Sequence, residues 1–303
     1  MLVGGQFLIG DLGVLHDGIG GVAFGGGNYL VVYYRIADGN GHRKVYGRIV
    51  STSGGVGNEF NISSGFGAQG FFNGGVFDGT NFLVVWCDDV NDYEVRGKFV
   101  SPTGTLGTEF SINTSQAPSD NPLSVLFNGT NYLAVWTDET IIGNGKLGSG
   151  EWGVFGQLID KSGNLVGSVI NISTASGEKF GPFIVFDGTN YLVTWTDMTK
   201  TTNWDIYGQY ISSSGTIVGS PFPVDTDKGN QFGGFSGLAV DGKLFGIVDN
   251  FDTFDGKIGD VYGMFLSAGS ATPPKVTTGA ATRVTKTSAK LSGTVNPEGS
   301  TTT

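Results

Sequence analysis

The sequence predicts an all-β fold made of repeated four-stranded units. A twelve-residue phrase recurs at 77–88 (FDGTNFLVVWCD), 127–138 (FNGTNYLAVWTD) and 186–197 (FDGTNYLVTWTD). One glycine recurs downstream of each copy at intervals of 50, 59, 52 and 55 residues, and its positions are Gly47, Gly97, Gly156, Gly208 and Gly263. A period near 50 residues with four strands per unit is typical of a propeller blade. The fold class predicted is therefore a five-bladed β-propeller with four-stranded blades.

Each element of the unit has its own signal. Asp-Gly or Asn-Gly inside the phrase favours a tight turn, and the aromatic and β-branched residues that follow favour a strand. The phrase thus predicts the first hairpin of a blade. Segments such as 205–224 (DIYGQYISSSGTIVGSPFPV) then hold a third strand, a Ser/Gly turn and a fourth strand. The second strands are apolar at successive positions, which indicates burial on both faces between neighbouring blades.

The two ends of the repeat region complement each other. The fifth unit stops after its third strand, whereas residues 3–24 (VGGQFLIGDLGVLHDGIGGVAF) align without a gap to 56–77 (VGNEFNISSGFGAQGFFNGGVF). The N-terminal segment is therefore predicted to form the fourth strand that the fifth unit lacks. We predict that residues 3–9 complete the last blade in this way and close the ring. The predicted domains are a propeller at 1–267, a linker at 268–274 and a β-rich tail at 275–303.

Both parts of the chain resemble bacterial extracellular proteins. The repeated phrase followed by a segment such as DIYGQ resembles the repeats of bacterial extracellular β-propeller proteins over most of residues 1–267. The tail sequence TSAKLSGTVNPEGSTTT (287–303) resembles the opening of a fibronectin type III-like module. The resemblance implies a secreted or cell-surface location, with binding or scaffolding as the usual role.

Composition excludes several function classes. The chain has only 17 Lys and Arg in 303 residues and a formal net charge of -10, so the sequence predicts no nucleic-acid partner. No apolar run is long enough to predict membrane insertion. Cys87 is the single cysteine, which excludes an internal disulfide and a cysteine zinc cluster.

Residues for catalysis are scarce in the expected places. The first-strand runs GVAF, GGVF, SVLF, FIVF and GLAV contain no Asp or Glu, although a propeller glycosidase is expected to hold carboxylates near the axis. Only two histidines occur, His16 and His42, and neither lies in a recognisable motif. We therefore expect no enzyme, unless loops supply the carboxylates.

A ligand site is predicted where the second strands end. Asp88, Asp138 and Asp197 occupy the same position in three units. Such residues either brace the local turn or form a ring of carboxylates that binds a cation or a sugar. Trp152 and Trp204 precede the third strands of their units, where they either pack at the rim or offer a platform to a sugar ring.

Two acidic segments are candidate calcium sites, because Ca²⁺ takes several oxygen ligands from a flexible loop. Neither segment has EF-hand spacing, and solvated acidic loops are the alternative. The candidate ligands, at 225–231 and 249–260, are Asp225, Asp227, Asn230, Asp249, Asp252 and Asp255.

These observations lead to a functional expectation with two alternatives. The leading expectation is a non-catalytic binding, adhesion or scaffold module of a secreted or cell-surface protein, with a glycan or a surface protein as partner. One alternative is a structural subunit of an extracellular filament or surface layer, with the C-terminal tail adding strands to a neighbouring molecule. The other alternative is a glycoside hydrolase with loop carboxylates.

Overall fold

The computed structural model is built from antiparallel sheets, and its described part contains no helix that could span a bilayer. It describes residues 8–9, 18–37, 42–65, 75–88, 94–113, 124–139, 151–200, 203–226, 229–234, 243–251, 260–267, 275–278 and 293–296. The strands are β1 (Gly18–Gly25), β2 (Asn28–Ile36), β3 (Arg43–Ser51), β4 (Phe60–Asn61), β5 (Val76–Phe77), β6 (Phe82–Asp88), β7 (Glu94–Val100), β8 (Leu106–Asn113), β9 (Ser124–Phe127), β10 (Tyr132–Glu139), β11 (Trp152–Ile159), β12 (Leu165–Ser173), β13 (Lys179–Phe186), β14 (Asn190–Asp197), β15 (Asp205–Ser212), β16 (Ile217–Asp225), β17 (Asn230–Gly234), β18 (Lys243–Phe251), β19 (Asp260–Ser267), β20 (Lys275–Thr278) and β21 (Gly293–Asn296).

The strands form one sheet per repeat. β1–β4, β5–β8, β9–β12 and β13–β16 make four sheets of four strands, each with its strands in chain order, and we call these sheets blades 1 to 4. Strands β17–β19 form a three-stranded sheet, blade 5, and β20 pairs with β21 in the tail. The predicted all-β propeller with four-stranded blades is confirmed. Residues 1–7 lie outside the described part, so ring closure by residues 3–9 and the domain boundaries stay predictions.

The core lies between successive blades because the second strands are buried on both faces. Trp86, Trp136 and Trp195 occupy equivalent places on β6, β10 and β14, and each packs against the preceding blade. The residue three before each of them, Leu83 in blade 2 and Leu133 in blade 3, packs against the following blade. Alternate residues of one strand thus serve two interfaces, as the period of two in a strand requires.

Tight turns occupy one end of the blades. In the first hairpins of blades 2 to 4, Asp78, Asn128 and Asp187 each accept backbone N–H bonds with Oδ1 from the residues two and three positions on. The glycine that follows each of them has a φ near +100°, as Gly188 does at 97°. This geometry explains the DGTN phrase, because an Asx residue and a residue tolerant of positive φ are what the turn needs.

Longer connections occupy the other end, which we call the loop end. There the second strands finish and the third strands begin, across 37–42, 89–93, 140–151, 198–204 and 252–259. The segments that join each blade to the next lie at the same end. Side chains at the ends of the second strands therefore share one face of the molecule with the longest loops, which are where binding and catalytic residues concentrate.

A charged latch joins the outer strands of blades 1 and 2. Glu109 Oε2 accepts hydrogen bonds from the N–H and hydroxyl of Ser64, at 2.8 and 2.7 Å, and lies 3.2 Å from Lys98 Nζ. In blades 3 and 4 the position of Lys98 holds Gln157 and Gln209, which donate instead to backbone carbonyls of their own blade. At this position of the third strand, blade 2 therefore makes an ionic contact, whereas blades 3 and 4 make neutral hydrogen bonds.

Candidate functional site at the loop end of blade 4

Three charged residues form a row across the inner strands of blade 4. Lys179 on β13 is the cross-strand partner of Asp197 on β14, and Asp197 is the partner of Asp205 on β15. Directly opposed residues have Cβ atoms about 4.5–5.5 Å apart on the same face of a sheet. The register therefore brings one ammonium and two carboxylates together where the inner strands of blade 4 meet the loop end.

Lys179 is the most deeply buried member of this row. Its ammonium donates to the carbonyls of Ser176 and Gly177, at 3.1 and 3.0 Å, and lies 3.6 Å from Asp197 Oδ2. Burial lowers the pKa of Lys179, while the charges of Asp197 and Glu151 act in the opposite direction. Glu151 immediately precedes β11, so the Lys179 ammonium pairs with a carboxylate of its own blade and is also acted on by the charge of one from blade 3.

The side chain of Asp197 accepts several hydrogen bonds and faces a cation. Its Oδ1 accepts the N–H of Thr199 at 2.9 Å and also the Thr199 hydroxyl, while Oδ2 faces Lys179. Asp197 therefore braces its turn with one oxygen and pairs with the buried ammonium through the other.

Asp205 is buried and belongs to a second pair. It accepts from Lys200 Nζ at 2.7 Å and from Asn203 Nδ2 at 2.5 Å. Asn203 in turn accepts the N–H of Gly229 at 3.0 Å, which ties the loop of blade 4 to the start of blade 5. Asp205 therefore holds this loop in place beside the Lys179 cluster.

The other aspartates predicted from the sequence lie at the same end of neighbouring blades. Asp138 is buried near the end of β10, where Asn113 Nδ2 of the preceding blade donates to its Oδ2 at 3.3 Å. Asp88 is the last residue of β6, and its side chain lies outside the described part. The three positions thus share the loop end, one on each of three blades.

Both predicted tryptophans begin a third strand beside a carboxylate. Trp152 follows Glu151 as the first residue of β11, and Trp204 precedes Asp205. Each side chain is half-buried. The N–H of Trp204 donates to Asn230 Oδ1 at 3.2 Å, so the backbone of Trp204 anchors the start of β17. An indole thus lies at or just before the start of the third strand in two adjacent blades.

The candidate calcium ligands are only partly visible. Asp225 ends β16, Asn230 begins β17 and Asp249 lies within β18, whereas Asp227, Asp252 and Asp255 fall outside the described residues. In the stretches that the structure describes, no group of three or more His, Cys, Asp or Glu side chains is arranged to hold a metal ion. Calcium binding at these positions stays a prediction.

Sequence reasoning missed Lys179, Glu151 and Asp205. The first-strand run FIVF was inspected for carboxylates, but β13 begins four residues earlier, at Lys179. The repeat alignment could have identified Lys179. In an antiparallel hairpin the first residue of the inner strand lies opposite the last residue of the second strand, which is Asp197. The approach of Glu151 depends on the path of a loop, and periodicity carries no information about that path.

No protein-family model and no curated protein matches the sequence. Solved structures do match. A subtype N10 neuraminidase-like protein of A/little yellow-shouldered bat/Guatemala is 13% identical, with a TM-score of 0.53 over 82% of this chain and 80% of that one. A puromycin-hydrolyzing peptidase of Mycobacterium tuberculosis is 11% identical, with a TM-score of 0.50 over 84% of this chain and 37% of that one. The catalytic domain of a Coprinopsis cinerea GH62 α-L-arabinofuranosidase is 10% identical, with a TM-score of 0.43 over 82% and 90%.

The shared feature is the fold. At these identities the likeness shows that this chain has the architecture of those proteins. It also corrects two expectations from the sequence. We expected a non-catalytic module and no enzyme, whereas the two reported matches with a TM-score of 0.50 or more are named as a neuraminidase-like protein and a puromycin-hydrolyzing peptidase. The second alternative, a hydrolase with carboxylates from loops, agrees better with these matches, and the residues at the loop end are its candidates.

Proposed function

We propose that the protein is a glycoside hydrolase whose site lies at the loop end, between blades 3 and 4. The observation that carries the proposal is the buried ammonium of Lys179, which lies 3.6 Å from Asp197 Oδ2 and is also acted on by the charge of Glu151 from blade 3. Cleavage of a glycosidic bond needs two carboxyl groups in different roles, and the loop end supplies two with different surroundings. Structures with enzyme names among the fold relatives support the same class of function.

The surroundings of the two groups suggest their roles. Asp197 accepts from the N–H of Thr199 with one oxygen and faces the ammonium of Lys179 with the other, so its carboxylate is held in a fixed orientation. It is our candidate for the carboxylate that attacks the anomeric carbon or activates water. Glu151 is our candidate for the acid, which gives its proton to the glycosidic oxygen as the bond to the anomeric carbon breaks. Lys179 is a positioning residue, since its fully buried side chain holds Asp197 in place.

The two tryptophans fit a sugar substrate. Trp152 and Trp204 are half-buried at the loop end of blades 3 and 4, and a partly exposed aromatic face suits the apolar face of a pyranose or furanose ring. Stacking on such a ring would orient the glycosidic bond toward the carboxylates. A peptide substrate gains less from this arrangement, which is why we prefer a glycoside.

The test is hydrolysis of a panel of chromogenic glycosides and polysaccharides by the purified chain. We expect turnover on at least one substrate. Asp197→Asn and Glu151→Gln should each lower kcat by about 10²–10⁴-fold, the usual contribution of a positioned acid or base. Asp187→Asn is the matched control, because Asp187 lies at the tight-turn end of the same blade, and it should keep full activity. Failure to hydrolyse any substrate, or full activity in Asp197→Asn, would contradict the proposal.

The remaining features predicted from the sequence complete the proposed picture. We propose a ring of five blades closed by residues 3–9, in a bacterial protein that is secreted or held at the cell surface, with the tail as the start of a fibronectin type III-like module. Five sheets that follow the repeat support the blade count. Mass spectrometry of the culture medium and surface fraction of a producing organism tests the location.

A further inference from the structure

Trp152 lies on the face of blade 3 that meets blade 4. Alternate residues of a strand share a face, so Trp152 lies on the same side of β11 as Val154. Val154 is fully buried in the core between blades 3 and 4, in one cluster with Trp195 of β14. Asp197, two residues beyond Trp195, shares the face of Trp195, as does its cross-strand partner Lys179. Trp152 and the carboxylate of the proposed site therefore face the same junction, that between blades 3 and 4.

Trp204 belongs to the next junction, between blades 4 and 5. Its N–H donates to Asn230 Oδ1 at 3.2 Å, and its carbonyl accepts the N–H of Gln231 at 3.0 Å. Both partners lie in β17, the first strand of blade 5. The alternation of β15, extended by one residue, agrees with this position. Tyr207 packs on the cluster shared with blade 3, whereas Tyr210, which has the parity of Trp204, belongs to a different cluster.

An amide donor lies beside Trp204. Asn230 accepts with Oδ1, and its Nδ2 makes no hydrogen bond to any residue that the structure describes. Both side chains are half-buried. The segment before Trp204 is held in place by Asn203, which donates to Asp205 and accepts the N–H of Gly229. A partly exposed indole and an amide donor suit the apolar face and the hydroxyl groups of a sugar ring.

We infer that the substrate is an oligosaccharide or polysaccharide, with one sugar unit at Trp152 and Asp197 and another unit of the same chain at Trp204 and Asn230. This second position rests on the proposed function, since it takes the bond that is cleaved to lie at the junction of blades 3 and 4. The two tryptophans belong to adjacent blades at the same end of the molecule, so a sugar chain that crosses the loop end of blade 4 contacts both. A short substrate fills the first position alone.

Kinetics on substrates of increasing length test the inference. The substrates are oligosaccharides from di- to hexasaccharide, with the sugar and linkage that the chain hydrolyses. We expect kcat/KM of the wild type to rise with length, because only longer chains contact Trp204. Trp204→Ala should lower the ratio of kcat/KM for long over short substrates by about 2–10-fold, the equivalent of one aromatic contact. Trp152→Ala should lower kcat/KM on all lengths alike and leave that ratio unchanged.

Asn230→Asp separates contact with the substrate from anchoring of the loop. Aspartate keeps an oxygen that accepts the N–H of Trp204 but lacks the amide donor, so Tm should be retained. We expect the ratio to fall by about 2–10-fold, the equivalent of one hydrogen bond. Ile217→Ala is the control, because Ile217 is an exposed residue of the outer strand of blade 4, and it should keep the wild-type ratio.

The outcomes distinguish failure of this inference from failure of the hydrolase. A wild type that hydrolyses all lengths equally well would overturn the second position and leave the hydrolase standing. The same holds if Trp204→Ala or Asn230→Asp keeps the wild-type ratio. A wild type that hydrolyses no oligosaccharide would overturn the proposed function and the second position together.

Discussion

The ammonium of Lys179 and the carboxylate of Asp197 lie 3.6 Å apart across the two innermost strands of blade 4. The lysine is fully buried, so its charge depends on this carboxylate and on the carbonyls of Ser176 and Gly177. Buried ions are tolerated when they are paired and hydrogen-bonded. The pair therefore links the stability of blade 4 to the arrangement of the proposed site.

Removing the ammonium should destabilise the fold. Lys179→Met leaves Asp197 without its cation and two carbonyls without their donor, and we expect the free energy of unfolding to fall by about 1–3 kcal/mol. Urea denaturation measures the change. Lys200→Met is the comparison variant: Lys200 also pairs with a carboxylate, that of Asp205, but its own side chain is exposed and water can replace it, so we expect a smaller loss than in Lys179→Met. Equal losses in both variants would contradict the role given to Lys179.

The same lysine gives a pH dependence with a defined sign. Burial lowers the pKa of Lys179, so the folded protein holds this proton less tightly than the unfolded chain. Stability should therefore rise with pH between the lowered folded pKa and the ordinary value of about 10.4. Wild type should gain stability relative to Lys179→Met across this window, as measured by urea denaturation at a series of pH values. A relative loss with rising pH would show that the pKa is raised.

The latch between Glu109 and Ser64, which joins blades 1 and 2, should contribute stability that is lost at acid pH. Although burial raises the pKa of Glu109, the bonds from Ser64 and the ammonium of Lys98 outweigh burial and lower it. The stabilisation is then present above the ordinary glutamate pKa of about 4.3 and is lost as pH falls through the folded value.

The variant that tests the latch is Glu109→Gln. We expect it to cost about 1–3 kcal/mol at neutral pH, because it weakens hydrogen bonds to a charged group. The cost should vanish in acid, where wild-type Glu109 is also neutral. A double-mutant cycle with Ser64→Ala isolates the contact between the blades. Additive effects in that cycle would mean that the two residues do not interact.

Trp152 should affect substrate binding more than turnover. If its indole stacks on a sugar ring, Trp152→Ala should raise KM by about 2–10-fold, the equivalent of the 0.5–1.5 kcal/mol typical of aromatic contacts. Trp152→Phe should recover part of the loss. Steady-state kinetics on the best substrate of the panel measure both variants. An unchanged KM with a lower Tm would assign Trp152 to packing alone.

The periodicity of the sequence was sufficient to predict much of the fold. The DGTN phrase predicts a turn because local side chains such as Asp187 satisfy its backbone, and the spacing of Gly97 and Gly156 reflects one sheet per repeat. Blade 4 shows the limit of this reasoning. The run FIVF marks only the regular part of β13, and the register irregularity between Phe180 and Phe183 hides the continuation to Lys179.

The candidate site could be predicted only in part, because it is formed by contacts between residues that do not recur from repeat to repeat. Asp197 was recognised because its position recurs, whereas Glu151 and Lys179 do not recur in the other repeats. Their proximity follows from packing blade 3 against blade 4 and from the loop that ends at Glu151. The functional expectation was wrong for a related reason: the absence of acidic residues from the first-strand runs was taken to exclude catalysis, although the loop end carries them.

Chemical rescue of Asp197→Ala tests the proposed site most directly. The variant lacks the carboxylate that we assign to the anomeric carbon, so it should hydrolyse an activated glycoside far more slowly than the wild type. Sodium azide should restore turnover and yield a glycosyl azide, since the small anion replaces the missing carboxylate or the water it activates. Asp205→Ala should show no azide effect. A wild type without hydrolytic activity, or azide rescue of Asp205→Ala and not of Asp197→Ala, would contradict the assignment.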